Sequence, residues 1–152
     1  MTNSISYCEN RADLAVLVMH LSSCDDLFQP RLSDRVDVVA YAKKLFKYSM
    51  RFEAWYEQVL VGLVAAYCSD EEKRSAFVTN VSVLQEWQGQ GIAAHLLENC
   101  LGRMRLQGVQ VLELEVDQRN HAAVALYHKF GFDTKRNDGT LLSMKMNHRS
   151  LG

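Results

Sequence analysis

The hydrophobic period of this chain first changes near residue 50, and that change limits the folds open to it. Before it, apolar residues recur at helical spacing. Leu14, Leu17, Val18 and Leu21 mark a helix around Arg11 to Ser22, and Val38, Val39, Ala42, Leu45 and Phe46 mark a second that starts after Ser33 as its N-cap. The polar stretch "SSCDDLFQPRLSD", which holds the single proline, Pro30, reads as the loop between them. Beyond residue 50, "RFEAWYEQVLVGLVAAYCS" alternates or runs continuously apolar around Glu57 and Gln58, which predicts two strands joined by a tight hairpin.

Strands and helices then alternate. "DEEKR" is a charged turn and "SAFVTNVSVL" a strand; Ile92, Leu96, Leu97, Cys100 and Met104 mark an amphipathic helix ending near Gly108. "VQVLELEVD" is a strand, "NHAAVALYHKF" a helix, and "GFDTKR" with "TLLSMKM" a closing hairpin that turns at Asn137 to Gly139. In the last helix Asn120 and Tyr127 lie two turns apart with Val124 between them, while Ala122, Leu126 and Phe130 form another face suited to the core. The order predicts an α/β sandwich around a mixed sheet, not a barrel or a helical bundle.

At 152 residues and 48% hydrophobic, the chain buries one core, so a single domain is expected. Lys plus Arg number 17 against 18 for Asp plus Glu, which supplies no overall field for nucleic acid. Any anion must be bound locally. Cys8, Cys24, Cys68 and Cys100 are scattered, as suits thiols in a reducing cytoplasm, and His20, His95, His121, His128 and His148 show no metal-ligand spacing. Of these His121, beside Asn120, is the one placed to line a pocket, against a capping or surface role. No stretch approaches the roughly 20 apolar residues of a membrane span, and "MTNSISYCEN" lacks the basic start of a signal peptide. A cytoplasmic protein with no metal, no nucleic acid and no membrane partner, monomer or homodimer, is the expectation.

"EWQGQGIAAHLL" places two glycines between a strand and a helix. Gly89, Gly91 and Ala94 satisfy the dinucleotide pattern G-x-G-x-x-G/A, and the following strand ends in an acidic residue, Asp117. In that fold, however, the first glycine sits at the end of the strand, whereas "QEWQ" intervenes here and too little chain follows for a doubly wound sheet. A phosphate-binding Gly-Lys-Ser/Thr loop is absent from the sequence.

The longer frame "VSVLQEWQGQGIAAHLL" resembles the acetyl-coenzyme A signature of the GCN5-related N-acetyltransferase (GNAT) superfamily, through Val83, Gln88, Gly89, Gly91, Ile92 and Ala93. "LELEVDQRNHAAVALYHKFGF" resembles the second half of the same core, through Leu114, Val116, Asn120, Ala123, Leu126, Tyr127, Gly131 and Phe132. The resemblance covers the last half of the chain closely and the first half only by order of elements. It implies a GNAT-like sheet, mostly antiparallel, of about six to seven strands flanked by about four helices. Residues 76–132 would form the acetyl-CoA core and residues 1–50 a helical acceptor side.

The same resemblance implies acetyl transfer from acetyl-CoA to a primary amine by direct attack. Val81, Ser82, Val83, Gln88, Gly89, Gln90, Gly91, Ile92, Ala93, Asn120 and Tyr127 would bind the donor, with backbone N–H groups facing the pyrophosphate. Gln88 stands where arginine is common, so a fixed charge is lost. A bulge near Asn80 to Val83 would free N–H groups for the oxyanion, and Tyr127 would protonate the leaving thiolate. No carboxylate lies on "FVTNVSVL"; Glu53, Glu113, Glu115 and Asp117 are candidate relays for the amine proton, none of them assigned. Phe28, Arg31, Tyr41 and Asn80, with Phe46 and Tyr48, are candidate acceptor contacts. A small-molecule amine, such as an amino sugar, is the leading acceptor; a protein N-acetyltransferase and a non-catalytic acyl-CoA sensor are the alternatives.

Overall fold

The structure, a computed structural model, describes residues 4–28, 30–68 and 74–147. Most of the expected "DEEKR" turn, and His148, lie outside the described residues. Seven strands hydrogen-bond in the order β1-β2-β3-β4-β5-β7-β6. They are β1 (Ser6–Glu9), β2 (Met50–Tyr56), β3 (Val59–Cys68), β4 (Ser75–Val83), β5 (Val111–Asp117), β6 (Asp133–Asp138) and β7 (Leu141–Asn147). Five α-helices accompany them: α1 (Leu14–Ser23), α2 (Leu32–Arg35), α3 (Val38–Tyr48), α4 (Ile92–Leu106) and α5 (His121–Lys129). The sheet is mixed. β4 and β5 run parallel, whereas β1/β2, β2/β3, β5/β7 and β6/β7 are antiparallel.

Contacts gather into two compact units, Met1–Ala66 with Asn80–Asn99, and Tyr67–Thr79 with Cys100–Gly152. In the first, Leu17 and Leu21 of α1, Leu45 of α3, Phe52 of β2, Leu63 of β3 and Leu96 of α4 are fully buried. Helices α1 and α3 are capped by aspartate: Asp13 accepts from the Val16 N–H and Asp37 from the Ala40 N–H. The capping residue is therefore Asp37 and not Ser33, which lies inside the short α2 and gives both its N–H and its hydroxyl to Asp25. The expected apolar stripe of α3 narrows accordingly to Ala42 and Leu45, while Val39 and Phe46 face solvent. β1 is an addition to the sequence reading. Its four residues carry no apolar alternation and are set by pairing with β2, from Ser6↔Trp55 to Glu9↔Phe52.

In the second unit Met104, Leu112, Met144, Met146 and Phe132 are fully buried. The closing hairpin turns one step later than expected: Asp138 pairs with Leu141, leaving Gly139 and Thr140 as the turn, with Gly139 at φ 72°. The face of α5 also differs from expectation. Tyr127 is its buried residue, Leu126 and Phe130 are half-buried and Ala122 is exposed, because the helix phase places the line through Tyr127 inward.

Candidate active site

The glycine segment is shaped by its backbone. Gly89 and Gly91 hold φ of 80° and 79°, in the left-handed region that an L side chain resists, while a Cβ at either position would meet nothing within 4 Å. Glycine is needed there for conformation and not for want of space. The Gly91 carbonyl accepts from His95 N–H at 3.0 Å, so α4 begins on the second glycine and its first N–H groups lack intrahelical partners by construction. Gln88 to Gly91 are exposed. An exposed loop of this kind at the N-terminus of a 15-residue helix suits an anionic group such as a pyrophosphate. Gln88 turns back in this structure, its amide donating to the Val83 carbonyl at 3.2 Å.

A residue the sequence reading missed holds this helix against β3. A Cβ on Gly62 would stand 2.7 Å from Ile92 Cγ2 and 3.1 Å from Leu96 Cδ1, so the glycine admits the first turn of α4. Within the apolar run "VLVGLVAA" nothing in the period marks it. Beside it, Ile92 is buried and Ala93 half-buried; Gln90 is exposed.

On β4, Asn80 and Ser82 are buried while Val81 and Val83 are half-buried, as strand alternation requires. The β4/β5 pairs run from Ser75↔Val111 to Val78↔Leu114, and β4 continues five residues further. Over these four pairs the register does not shift, and the β4/β5 ladder ends before Asn80. The Ser82 hydroxyl lies 2.7 Å from Asn80 Oδ1 and 2.9 Å from His20 Nε2, and His20 Nδ1 lies 2.9 Å from the Leu60 carbonyl. His20 had no signal beyond its place on the inner stripe of α1. Burial pulls its imidazole down to about 4, so it is neutral near pH 7.

Of the candidate relays, Glu53 is fully buried and saturated. Its carboxylate accepts from Arg11 N–H, Ala12 N–H and Trp55 Nε1–H at 2.9 to 3.1 Å and lies 3.4 Å from Arg51 Nε. Both of its oxygens already accept hydrogen bonds. Glu113 pairs with Lys135 at 3.1 Å, and Asp117 is held down at about 2 by hydrogen bonds from Arg119. Glu115 is exposed.

In the second unit Tyr127 packs edge-on against Phe132, ring centroids 6.0 Å apart, and burial pushes its hydroxyl well above the ordinary phenol range. It remains a protonated donor across the neutral range. Asn120 is exposed, and its Oδ1 caps α5 by accepting from Ala123 N–H at 3.2 Å. His121, the first residue of that helix, is exposed. On the acceptor side Phe28 and Tyr41 are half-buried, whereas the exposed Arg31 is engaged by Asp34 at 3.2 Å. Among the described residues no group of three His, Cys, Asp or Glu could hold a metal ion, and no helix is long and apolar enough to cross a membrane.

A model of the acetyltransferase (GNAT) family matches residues 19–132. L-2,4-diaminobutyric acid acetyltransferase of Vibrio cholerae is 33% identical over 73 residues, 48% of this chain but only 42% of that enzyme. N-alpha-acetyltransferase 30 of Schizosaccharomyces pombe is 28% identical over 123 residues, 74% of this chain and 77% of that one. The PaiA N-acetyltransferase of Thermoplasma acidophilum, solved with coenzyme A, shares the fold at a TM-score of 0.73 and 14% identity, covering 95% of this chain and 99% of that one.

Proposed function

The chain belongs to the acetyltransferase (GNAT) family, and on that premise we propose that it moves an acetyl group from acetyl-CoA to the primary amine of a small molecule by direct attack. The observation that carries the donor half is the exposed Gln88-to-Gly91 loop, whose two left-handed glycines open α4. Backbone N–H groups of Gly89 to Ala93 hold the pyrophosphate, and Val81 to Val83 lie along the pantetheine and thioester. The family resemblance assigns Asn120 and Tyr127 to the donor as well. The bound thioester supplies an activated acyl carbon. Tyr127, kept protonated by burial, gives its proton to the departing thiolate.

Residues 76–132 form the donor-binding core on this reading, and residues 1–50 choose the acceptor through Phe28, Arg31 and Tyr41. The Vibrio relative acts on an amino acid, which supports a small amine. The Schizosaccharomyces relative is an N-alpha-acetyltransferase and supports a second reading, in which the acceptor is a peptide α-amine.

Thiol release from acetyl-CoA, measured across amino acids, amino sugars, polyamines and short peptides, separates the two. Turnover on small amines alone supports the first reading; turnover on peptides alone overturns it. Tyr127→Phe is expected to slow turnover about 100-fold with acetyl-CoA affinity unchanged. Gly91→Val is expected to abolish acetyl-CoA binding in calorimetry, and the reverse pattern would sink these role assignments.

A further inference from the structure

The hydrogens around His20 can be shared among the acceptors there in two ways. A carbonyl only accepts, so the Leu60 contact fixes the hydrogen of His20 on Nδ1 and leaves Nε2 with a lone pair. Two groups stand within reach of that lone pair. Ser82 Oγ is 2.9 Å away and Cys24 Sγ 3.7 Å away. Burial raises the Cys24 thiol to about 11, so it keeps its hydrogen. Ser82 has one hydrogen and two acceptors before it, His20 Nε2 and Asn80 Oδ1, at 2.9 and 2.7 Å. If Ser82 donates to Asn80, Cys24 serves His20; if Ser82 turns to His20, its own oxygen can accept from another donor. Rotation of one O–H bond interconverts the two settings.

These side chains are nearly sealed: His20, Asn80 and Ser82 are 3%, 4% and 6% exposed, and Cys24 is fully buried. A buried chain of this kind costs stability unless every group is satisfied. Ser82 also lies on the β4 stretch that the proposed reaction lays along the thioester, and Glu53, the candidate relay on β2, is already engaged by several donors.

We propose that Ser82 and His20 form the proton relay for the acceptor amine, a step that rests on the acetyltransfer reading above. As the amine nitrogen attacks, its N–C bond to the acetyl carbon forms and the C–S bond breaks. The nitrogen's proton passes to Ser82 Oγ while the Ser82 hydrogen passes to His20 Nε2, and the Tyr127 proton goes to the thiolate. His20 then carries an extra proton and Tyr127 lacks one. Exchange with water as products leave restores both. The same burial that makes the imidazolium costly ensures that His20 resets to its neutral form. Ser82 is the group that touches the substrate; His20 is its acceptor and positioning residue, with its tautomer set by Leu60.

The test measures turnover of the wild-type protein on its best amine in mixtures of light and heavy water, then repeats it for Ser82→Ala and His20→Gln. Wild-type rates should fall along a curve with deuterium fraction, as two protons move together. Each variant should lose about 100-fold in kcat, keep its acetyl-CoA affinity within about twofold and show a linear dependence. His20→Gln leaves Ser82 in place and guards against a Ser82→Ala chain that does not fold. Turnover within twofold of wild type in both variants, or slowed variants that retain the wild-type curve, overturns the relay. Absence of turnover by the wild-type protein on every amine overturns the acetyltransfer reading and the relay with it, whereas unaffected variants of an active enzyme overturn the relay alone.

Discussion

The first unit holds two buried polar clusters, one around Glu53 and one around His20, and they are built on opposite principles. Glu53 has more donors than it has neighbours to offend: two backbone N–H groups, the Trp55 indole, Cys8 at 3.8 Å and the Arg51 guanidinium surround one carboxylate. Arg51 in turn gives its Nη atoms to the carbonyls of Leu45, Phe46 and Ala12, and Asn10, at φ 55°, accepts from its N–H. Arg11 stacks over the Trp55 ring at 4.5 Å. This knot ties the entry of α1 to β2, with Arg51 Nε its one buried donor outside a hydrogen bond among the described residues. The His20 cluster has hydrogens enough for its acceptors but two ways to place them. A saturated buried charge is fixed architecture; a neutral chain with two settings is suited to passing a proton.

Substitution at Glu53 should produce the largest loss of stability. Glu53→Ala leaves the Arg51 charge buried without its partner, and a loss of about 3 to 5 kcal/mol in urea unfolding is expected. Full stability of that variant would break the comparison. Acid should strike the other cluster. His20 has its folded-state value lowered to about 4 from an ordinary 6.5, so the unfolded chain takes up a proton first as pH falls. The contribution is present above pH 6.5 and is lost progressively towards pH 4, amounting to about 3 kcal/mol. His20→Gln should flatten that part of the stability-pH curve, which unfolding at pH 7 and pH 4.5 would reveal. Asp37→Ala supplies the small exposed reference, expected to cost about 1 kcal/mol by loss of the cap on α3. A cost equal to that of Glu53→Ala would mean that burial does not decide the difference.

The second half of the chain was the more legible. Strand β4, the glycine turn, α4, β5 and α5 all fall where the patterns place them, because their apolar residues follow a period and their turns carry glycine. Ile92, Leu96, Leu97, Cys100 and Met104 are all buried as their spacing requires. The first half was harder for identifiable reasons. β1 has no period of its own, the cap of α3 is Asp37 and not the Ser33 four residues earlier, and Glu53, one of four unassigned candidate relays, takes its donors from elements distant in sequence. His20 was visible only as a histidine without metal spacing, since its partners lie 40 and 62 residues away.

Local chemistry in the sequence determined the α/β order, the left-handed glycine turn and the resemblance to an acetyltransferase, since period, turn residues and helix ends act over a few residues. Tertiary structure alone decided which polar groups are held by many donors and which have a choice of hydrogen, because that depends on donors brought from distant elements into the buried interior.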